Sequence, residues 1–337
     1  MMAASTANSA KRRAIITGGA GFIGSHLVDR LLAEGNWRVT VIDNFDPSCP
    51  RAIKEANIAQ HASNADFDLI EGDLLEDAVL ERAFLSAKGG MAAPIIVHMA
   101  AKAGMRSSMA DPIGYHRVNV TGTLKLLEAA RKNKVDHFLL ASSSSVYGMD
   151  PDVPWKEKER GLLPISPYAA SKLASEQFAQ VYARLHGMKV TVLRLFTVHG
   201  PRQGPDQAIH QFFRGISAGL PVQQFGDGST RRDHTFVDDI INGVRLAIDR
   251  THGEAFEIYN LGTSETTMLR DLITAIEREI GMKAIIHLRP DQPGDVPRTF
   301  ADVGKAGAHF GYRPFTALPE GLAEFHRWIA MANIPAR

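Results

Sequence analysis

Up to about Thr197, short apolar runs alternate with stretches of helical spacing. Ala14-Ile15-Ile16-Thr17 has the look of a buried strand. After a glycine-rich break, Ser25 to Ala33 carries Leu27, Val28, Leu31 and Leu32 on one helical face. Further strands are predicted from Trp37 to Ile42, Asp68 to Leu74, Pro94 to Ala101, His137 to Ala141 and Lys189 to Leu195. A helix is expected from about Tyr115 to Lys132, with Leu124, Leu126, Leu127 and Ala130 on its apolar face. Another opens with Ser166 as cap and Pro167 at the first helical position, and ends near Gly187. Strands and helices alternating at this length predict an α/β fold with a doubly wound parallel sheet.

Past Thr197 the pattern breaks up at Pro201, Gly204, Pro205, Gly219, Pro221, Gly226 and Gly228. A helix is expected from Gln207 to Ala218, a strand at Val222–Phe225 and a strand returning to the large sheet at Ile258–Gly262. A helix from Thr266, a strand from Ala284 to Leu288, the loop Gln292-Pro293-Gly294-Asp295 and a closing helix from Pro319 to Met331 complete a smaller mixed α/β lobe. The expected division is 11–197 plus about 235–263 for the nucleotide-binding domain and 198–234 plus 264–332 for the substrate domain, with a substrate cleft between them. Residues 1–10 read as a disordered tail.

Composition narrows the function classes. The 337 residues carry 38 basic and 37 acidic side chains, a net charge of +1, without a long run of one sign. That balance argues against a nucleic-acid or anionic membrane surface as partner. Cys49 is the single cysteine, so no internal disulfide framework exists, and its loop lacks the His/Cys company a metal site needs. No metal is expected. No apolar run reaches the ~18 residues of a membrane span, and a cytoplasmic protein fits these features.

Candidate chemistry gathers where the predicted strands end. Gly18, Gly21 and Gly24 satisfy GxxGxxG, and Gly19, Gly21 and Gly24 satisfy GxGxxG, between a strand and a helix. Such a turn lets the backbone approach a pyrophosphate at a helix N-terminus. Asp43 ends the second strand, nineteen residues after Gly24. An acid there accepts hydrogen bonds from an adenosine ribose and repels a 2′-phosphate, which predicts NAD rather than NADP. Phe22, Ile23, Asn44, Asp73, Leu74, Ala100 and Ala101 are expected to border the same cofactor. His98, inside its strand, reads as a core histidine, and the alternating charges of Lys156–Arg160 as a solvated segment.

Tyr168 and Lys172 stand four residues apart near a helix start, hence on one face. A tyrosine ordinarily ionises near ~10 and has to fall to about 7 for half of it to be phenolate at neutral pH. A neighbouring cation acts in that direction.

Taken together, Thr17–Gly24, the serine run Ser142–Ser145 leading to Val146-Tyr147-Gly148, Tyr168-x-x-x-Lys172 and Arg232-Asp233 occur in the order found in the extended short-chain dehydrogenase/reductase superfamily, which the chain resembles over nearly its whole length. It is most similar there to the nucleotide-sugar 4-epimerases, and among them to the UDP-glucuronate 4-epimerases. The pointers are Asp43–Pro47, Ala103-Gly104-Met105-Arg106, Leu195–Val198 and Gln292–Pro297. UDP-glucose 4-epimerases usually carry asparagine at the place of Thr197 and arginine at that of Gln292. Two positions depart from the uronate pattern: Gln203 stands in a loop that commonly holds a second arginine, and His199 stands where tyrosine is usual.

The resemblance implies redox-neutral C4 epimerisation of a UDP-hexuronate on tightly held NAD. Tyr168 would take the 4-hydroxyl proton, Lys172 would lower the tyrosine pKa and hold the nicotinamide ribose, and Ser143 would hydrogen-bond the reacting oxygen. It also implies that Arg232 clamps the diphosphate, Phe225 stacks on uracil, Asp295 reaches the nucleotide ribose, and Thr197 meets sugar or phosphate. Arg106, Ser144 and Ser145 are the candidates for the sugar carboxylate and its neighbours. Dehydratases of the superfamily place Asp-Glu where this chain has Ser144-Ser145, so elimination is not expected. Neutral-sugar epimerases of UDP-glucose or UDP-N-acetylglucosamine, a nucleotide-sugar decarboxylase or dehydrogenase, and a non-catalytic NAD-binding regulator are the competing readings. A homodimer through the helices around 115–132 and 167–186 is also implied.

Overall fold

Alternate residues of the first strand go to opposite layers, and that alternation builds the molecule. In the computed structural model, which describes residues 11–87, 93–150, 152–250, 253–291 and 296–331, the chain begins with β1 (Arg12–Thr17), α1 (Phe22–Ala33) and β2 (Trp37–Asp43). Then come α2 (Arg51–Ile58), β3 (Phe67–Glu71), α3 (Asp77–Ser86) and β4 (Ile95–His98). The 1–10 tail lies outside the described residues. From β1, Ala14 and Ile16 pack with Leu27, Val28 and Leu31 of α1, while Ile15 enters the opposite core with Val79, Leu80 and Phe84 of α3. Full burial of a side chain such as Leu27 is worth ~1.5–3 kcal/mol, so three on one face suffice to seat α1 on the sheet.

The middle of the chain supplies α4 (Met105–Ala110), α5 (Pro112–Tyr115), a π-helical stretch His116–Gly122, α6 (Thr123–Lys132), β5 (His137–Ser143), α7 (Pro167–His186) and β6 (Lys189–Leu195). The helix expected from about Tyr115 to Lys132 is therefore not uniform: its first part is wound more widely, around the buried Asn119. The rest comprises β7 (Thr197–His199), α8 (Ala208–Ser217), β8 (Pro221–Phe225), β9 (Arg231–Arg232), β10 (His234–Phe236), α9 (Val237–Asp249) and β11 (Phe256–Leu261). It closes with β12 (Thr267–Met268), α10 (Leu269–Ile280), β13 (Ile285–Arg289), α11 (Gly304–Phe310) and α12 (Leu318–Met331).

Seven strands form one parallel sheet in the order β11-β6-β5-β4-β1-β2-β3, with helices on both faces. The order reverses between β1 and β4, and the crevice at the carboxyl ends there is where such sheets bind ligands. A separate core joins Phe212 and Phe213 of α8, Val222 of β8, Leu272 and Ile276 of α10, and Leu322 and Phe325 of α12. This is the smaller lobe.

Two expectations change. The segment around α11, expected in the smaller lobe, returns to the large sheet: Ala306 and Tyr312 are buried with Tyr259 of β11 and Val244 of α9. Apolar burial, rather than order along the chain, sets its allegiance. The segment Lys156–Arg160, expected to be simply solvated, is anchored by the Glu157 carboxylate, which accepts from the Asn260 amide at 2.8 Å.

Candidate active site

The glycine turn closes on itself, with the Gly21 amide donating to the Gly18 carbonyl at 3.1 Å and the Gly18 amide to Ile42 at 2.7 Å. Gly18 has φ +68°, and a Cβ there would lie 2.8 Å from the Ala100 backbone, so only glycine brings this turn against the end of β4. A Cβ on Gly24 would collide with the Gly18 carbonyl oxygen, which keeps α1 close under the turn. Thr17 locks the next strand: its hydroxyl accepts from the Ala100 amide at 3.2 Å and contacts His98 Nδ1 at 2.7 Å. His98 Nε2 meets Thr123 Oγ1 at 2.9 Å, and burial lowers its pKa to about 3, which makes it the neutral core histidine expected.

Asp43 is buried at the end of β2. Its Oδ2 accepts from the Ala20 amide at 3.1 Å and its Oδ1 from the Phe45 amide at 2.9 Å. Asn44 donates to the Asp73 carboxylate at 3.2 Å, joining two residues predicted to border the cofactor, and Leu74 is buried beside them. Phe22 and Ile23 are partly buried and pack against the core under the turn. Ala100 and Ala101 leave the end of β4 low. A glycine turn at a helix N-terminus, a ribose-height acid and a small-residue floor fit a dinucleotide.

The catalytic candidates meet at the next strand end. Ser166 caps α7, its hydroxyl accepting from the Ala169 amide at 3.1 Å, and Pro167 takes the first helical position as expected. That places Tyr168 one residue into the helix, where its phenol is within hydrogen-bond reach of Ser143 at the end of β5. Lys172 is buried one turn on, and its ammonium donates to the Ala141 carbonyl at 2.9 Å. Ser143 also holds the serine run in place, accepting from the Ser145 amide at 3.2 Å. Ser144 is buried and Ser145 half-buried.

The electrostatics correct one expectation. Tyr168 has its pKa raised, chiefly by burial, with the Ser143 hydrogen bond pulling it down and Tyr115 pushing it up. Lys172 is itself desolvated: its own pKa is lowered by burial to about 8, with Glu176 acting the other way. Desolvation outweighs the neighbouring charge because both groups share one dry pocket.

Residues not singled out in the sequence hold this arrangement. Asn119, in the π-helical stretch, accepts from the Lys102 amide at 2.8 Å and donates to Ser171 Oγ at 2.9 Å, tying α7 to the loop after β4. Nothing local marks it, since its helical neighbours Tyr115, His116, Gly122 and Thr123 form no apolar stripe for it to interrupt. Tyr115 packs edge-on to Tyr168 with ring centroids 6.2 Å apart. Behind Lys172, Glu176 and Arg194 form a buried ion pair at 2.7 Å.

On the substrate side the structure brings Arg106 and Phe225 together, with the guanidinium carbon 4.1 Å from the ring centroid. These residues come from different lobes, so the pair crosses the cleft. Arg232 donates to the Arg231 carbonyl at 2.9 Å from a half-buried position. Thr197 is half-buried, its amide donating to the Asp233 carbonyl at 3.1 Å. Asp233 is the anchor, its carboxylate accepting from Thr235, Thr263, Ser264 and Ala301. Gln292 and Asp295 lie outside the described residues. In the departing loop, Arg202 turns away to Asp29 and Ser25 of α1, at 2.7 and 3.1 Å, and Gln203 is buried. His199 is also buried, edge-on to Phe236. Among the described residues no cluster of three or more His, Cys, Asp or Glu is placed to hold a metal, and no helix is long and apolar enough to cross a membrane.

A family model described as the NAD dependent epimerase/dehydratase family matches residues 14–262. The chain is 34% identical to a probable UDP-glucuronate 4-epimerase of Rhizobium meliloti, across 94% of this chain and 96% of that protein. Among solved structures it is similar to the UDP-glucuronic acid 4-epimerase of Bacillus cereus in complex with UDP-glucuronic acid and NAD, at TM-score 0.89 and 33% identity over 95% of this chain and 99% of that one. The UDP-glucose 4-epimerase of Thermotoga maritima with UDP-glucose is similar at TM-score 0.85 and 32% identity, over 95% and 99%.

Proposed function

The chain belongs to the NAD dependent epimerase/dehydratase family, and on that premise we propose that it interconverts UDP-glucuronate and UDP-galacturonate at C4 through a 4-keto sugar. The observation that carries the reading is the Ser143–Tyr168–Lys172 arrangement beside the glycine turn, in a chain similar along its length to a protein solved with UDP-glucuronic acid and NAD. When bound, NAD supplies the hydride acceptor and then the donor.

The chain's own residues do the acid–base work. Tyr168 takes the proton from the sugar 4-hydroxyl and returns it after the sugar has turned. Ser143 donates to the oxygen on which charge develops. The buried Lys172 ammonium opposes the pocket's preference for a neutral phenol. Gly18, Gly21, Phe22, Ile23 and Gly24 would hold the pyrophosphate. Asp43, Asn44, Asp73 and Leu74 would hold the adenosine, and Ala100, Ala101 and Lys172 the nicotinamide half.

In the same reading Arg232 clamps the substrate diphosphate, since a guanidinium binds phosphate oxygens in pairs. Phe225 stacks on uracil, Asp295 binds the ribose, and Arg106, Ser144, Ser145 and Thr197 surround the uronate. The protein works in the cytoplasm as a homodimer, with Phe178, Val181 and Leu185 forming an outward apolar stripe on α7 for the partner copy. Size-exclusion chromatography with light scattering tests the dimer, a monomeric mass being the contrary result.

The function is tested by incubating the full chain with UDP-glucuronate and, separately, UDP-glucose, without added NAD, and following the sugars by NMR. UDP-galacturonate is the expected product. Turnover of UDP-glucose alone would reject the uronate, and stoichiometric release of NADH would mean net oxidation instead.

A further inference from the structure

By its place after the second strand Asp43 is a lone acid that repels a 2′-phosphate, but the structure gives it a cationic partner. Lys54 of α2 places Nζ 3.0 Å from Asp43 Oδ1, and both side chains are buried, 11% and 3% exposed. Phe45 shields the pair, its ring centroid 5.9 Å from the ammonium. Arg51, the other cation on α2, is held by Glu55 and both oxygens of Glu71.

A carboxylate offers about four acceptor positions. Three are filled here, by the Ala20 amide, the Phe45 amide and Lys54, which leaves one on Oδ2 for a ribose hydroxyl. The charge of the acid is largely offset by the ammonium beside it, so exclusion of a 2′-phosphate rests on the filled space more than on repulsion. Were the acid absent, two amides and an ammonium would converge on a point left without an acceptor, the donor set that phosphate oxygens suit.

We infer that Lys54 is a specificity-determining residue of the cofactor site: paired with Asp43 it makes a neutral ribose cradle, and freed from Asp43 it becomes the receptor for the 2′-phosphate of NADP. The inference rests on the family's cofactor and is independent of which sugar is turned over.

The test compares full-length Asp43→Ser with Asp43→Ser/Lys54→Met. Each is equilibrated with equimolar NAD and NADP, freed of unbound nucleotide by gel filtration and denatured, and the released nucleotides are quantified by chromatography. The NADP:NAD ratio is expected to be at least about 10-fold higher in the single variant, the worth of one charge-assisted hydrogen bond. Equal ratios would overturn the assignment. Circular dichroism checks folding; if serine is not tolerated, Asp43→Ala, which also empties the space and removes the acceptor, carries the same comparison with and without Lys54→Met. Bound nucleotide is the readout, so a wrong sugar substrate leaves the result unaffected.

Discussion

The two sides of the cleft are built differently. On the cofactor side polar groups are cross-linked: Thr17 holds both His98 and Ala100, Asn119 holds both Lys102 and Ser171, and Lys54 backs Asp43. On the substrate side an exposed Arg106 lies on the Phe225 ring and Arg232 bonds a neighbouring carbonyl, while Asp233 is anchored deep beneath. Groups that transfer a proton need fixed positions, because small misplacements are costly to rate. A pocket in which a sugar has to turn needs side chains that can yield. The rigid half serves the first demand, the adaptable half the second.

Four substitutions bear on this contrast. Tyr168→Phe keeps the ring and removes the base, so kcat should fall by about 10²–10⁴ while the NAD content measured after denaturation stays unchanged. An active variant would remove Tyr168 from the chemistry. Asp233→Ala deprives several buried and half-buried donors of their acceptor at once, and a loss of about 4 kcal/mol in urea unfolding is expected. A loss under about 1 kcal/mol would mean that the substrate side has no anchor there.

The third concerns pH. Lys172 holds its proton with a pKa of about 8 in the fold against an ordinary 10.5, so the unfolded chain binds the proton more readily between those values. Below pH 8 the buried cation opposes folding; raising pH from 8 toward 10.5 relieves this. The stability of the unmodified protein relative to Lys172→Met should therefore rise across that window by about 3 kcal/mol, as read from denaturation curves at several pH values. A flat difference would show that the ammonium is better solvated than its burial implies. The smallest effect belongs to Arg106→Ala, since an exposed cation–π contact is worth ~0.5–1 kcal/mol. Its stability should barely change, while kcat/KM for UDP-glucuronate falls more than for UDP-glucose. A stability loss as large as that of Asp233→Ala would erase the distinction between the two sides.

What was legible in the sequence was local. The glycine turn, the Ser166-Pro167 helix start and the four-residue spacing of Tyr168 and Lys172 are set by neighbours along the chain, and the structure keeps each of them. The parallel sheet was readable from the alternation of apolar runs. Lys54, Asn119 and the role of Asp233 were not legible, because each acts on residues brought near only by the fold. The placement of α11 was missed for the same reason: seven residues with few apolar positions do not announce which core they will join. The sign of the shift at Tyr168 was missed because spacing reveals a neighbouring charge but not the burial that outweighs it.

The wider winding at His116–Gly122 bears on how this chain tolerates change in length. Each residue of a helix advances about 100°, so a wide turn resets the angular phase between the residues on its N-terminal side and those on its C-terminal side. Here Tyr115 lies before the turn, Asn119 within it, and the core residues Leu126 and Leu127 after it. Deleting a single residue from this stretch would let the helix run on regularly while rotating Tyr115 away from Tyr168. The sheet would survive such a loss far better than the active site, so insertions and deletions between α5 and α6 should be rarer in working members of the family than the exposed position of Ile113 nearby would suggest.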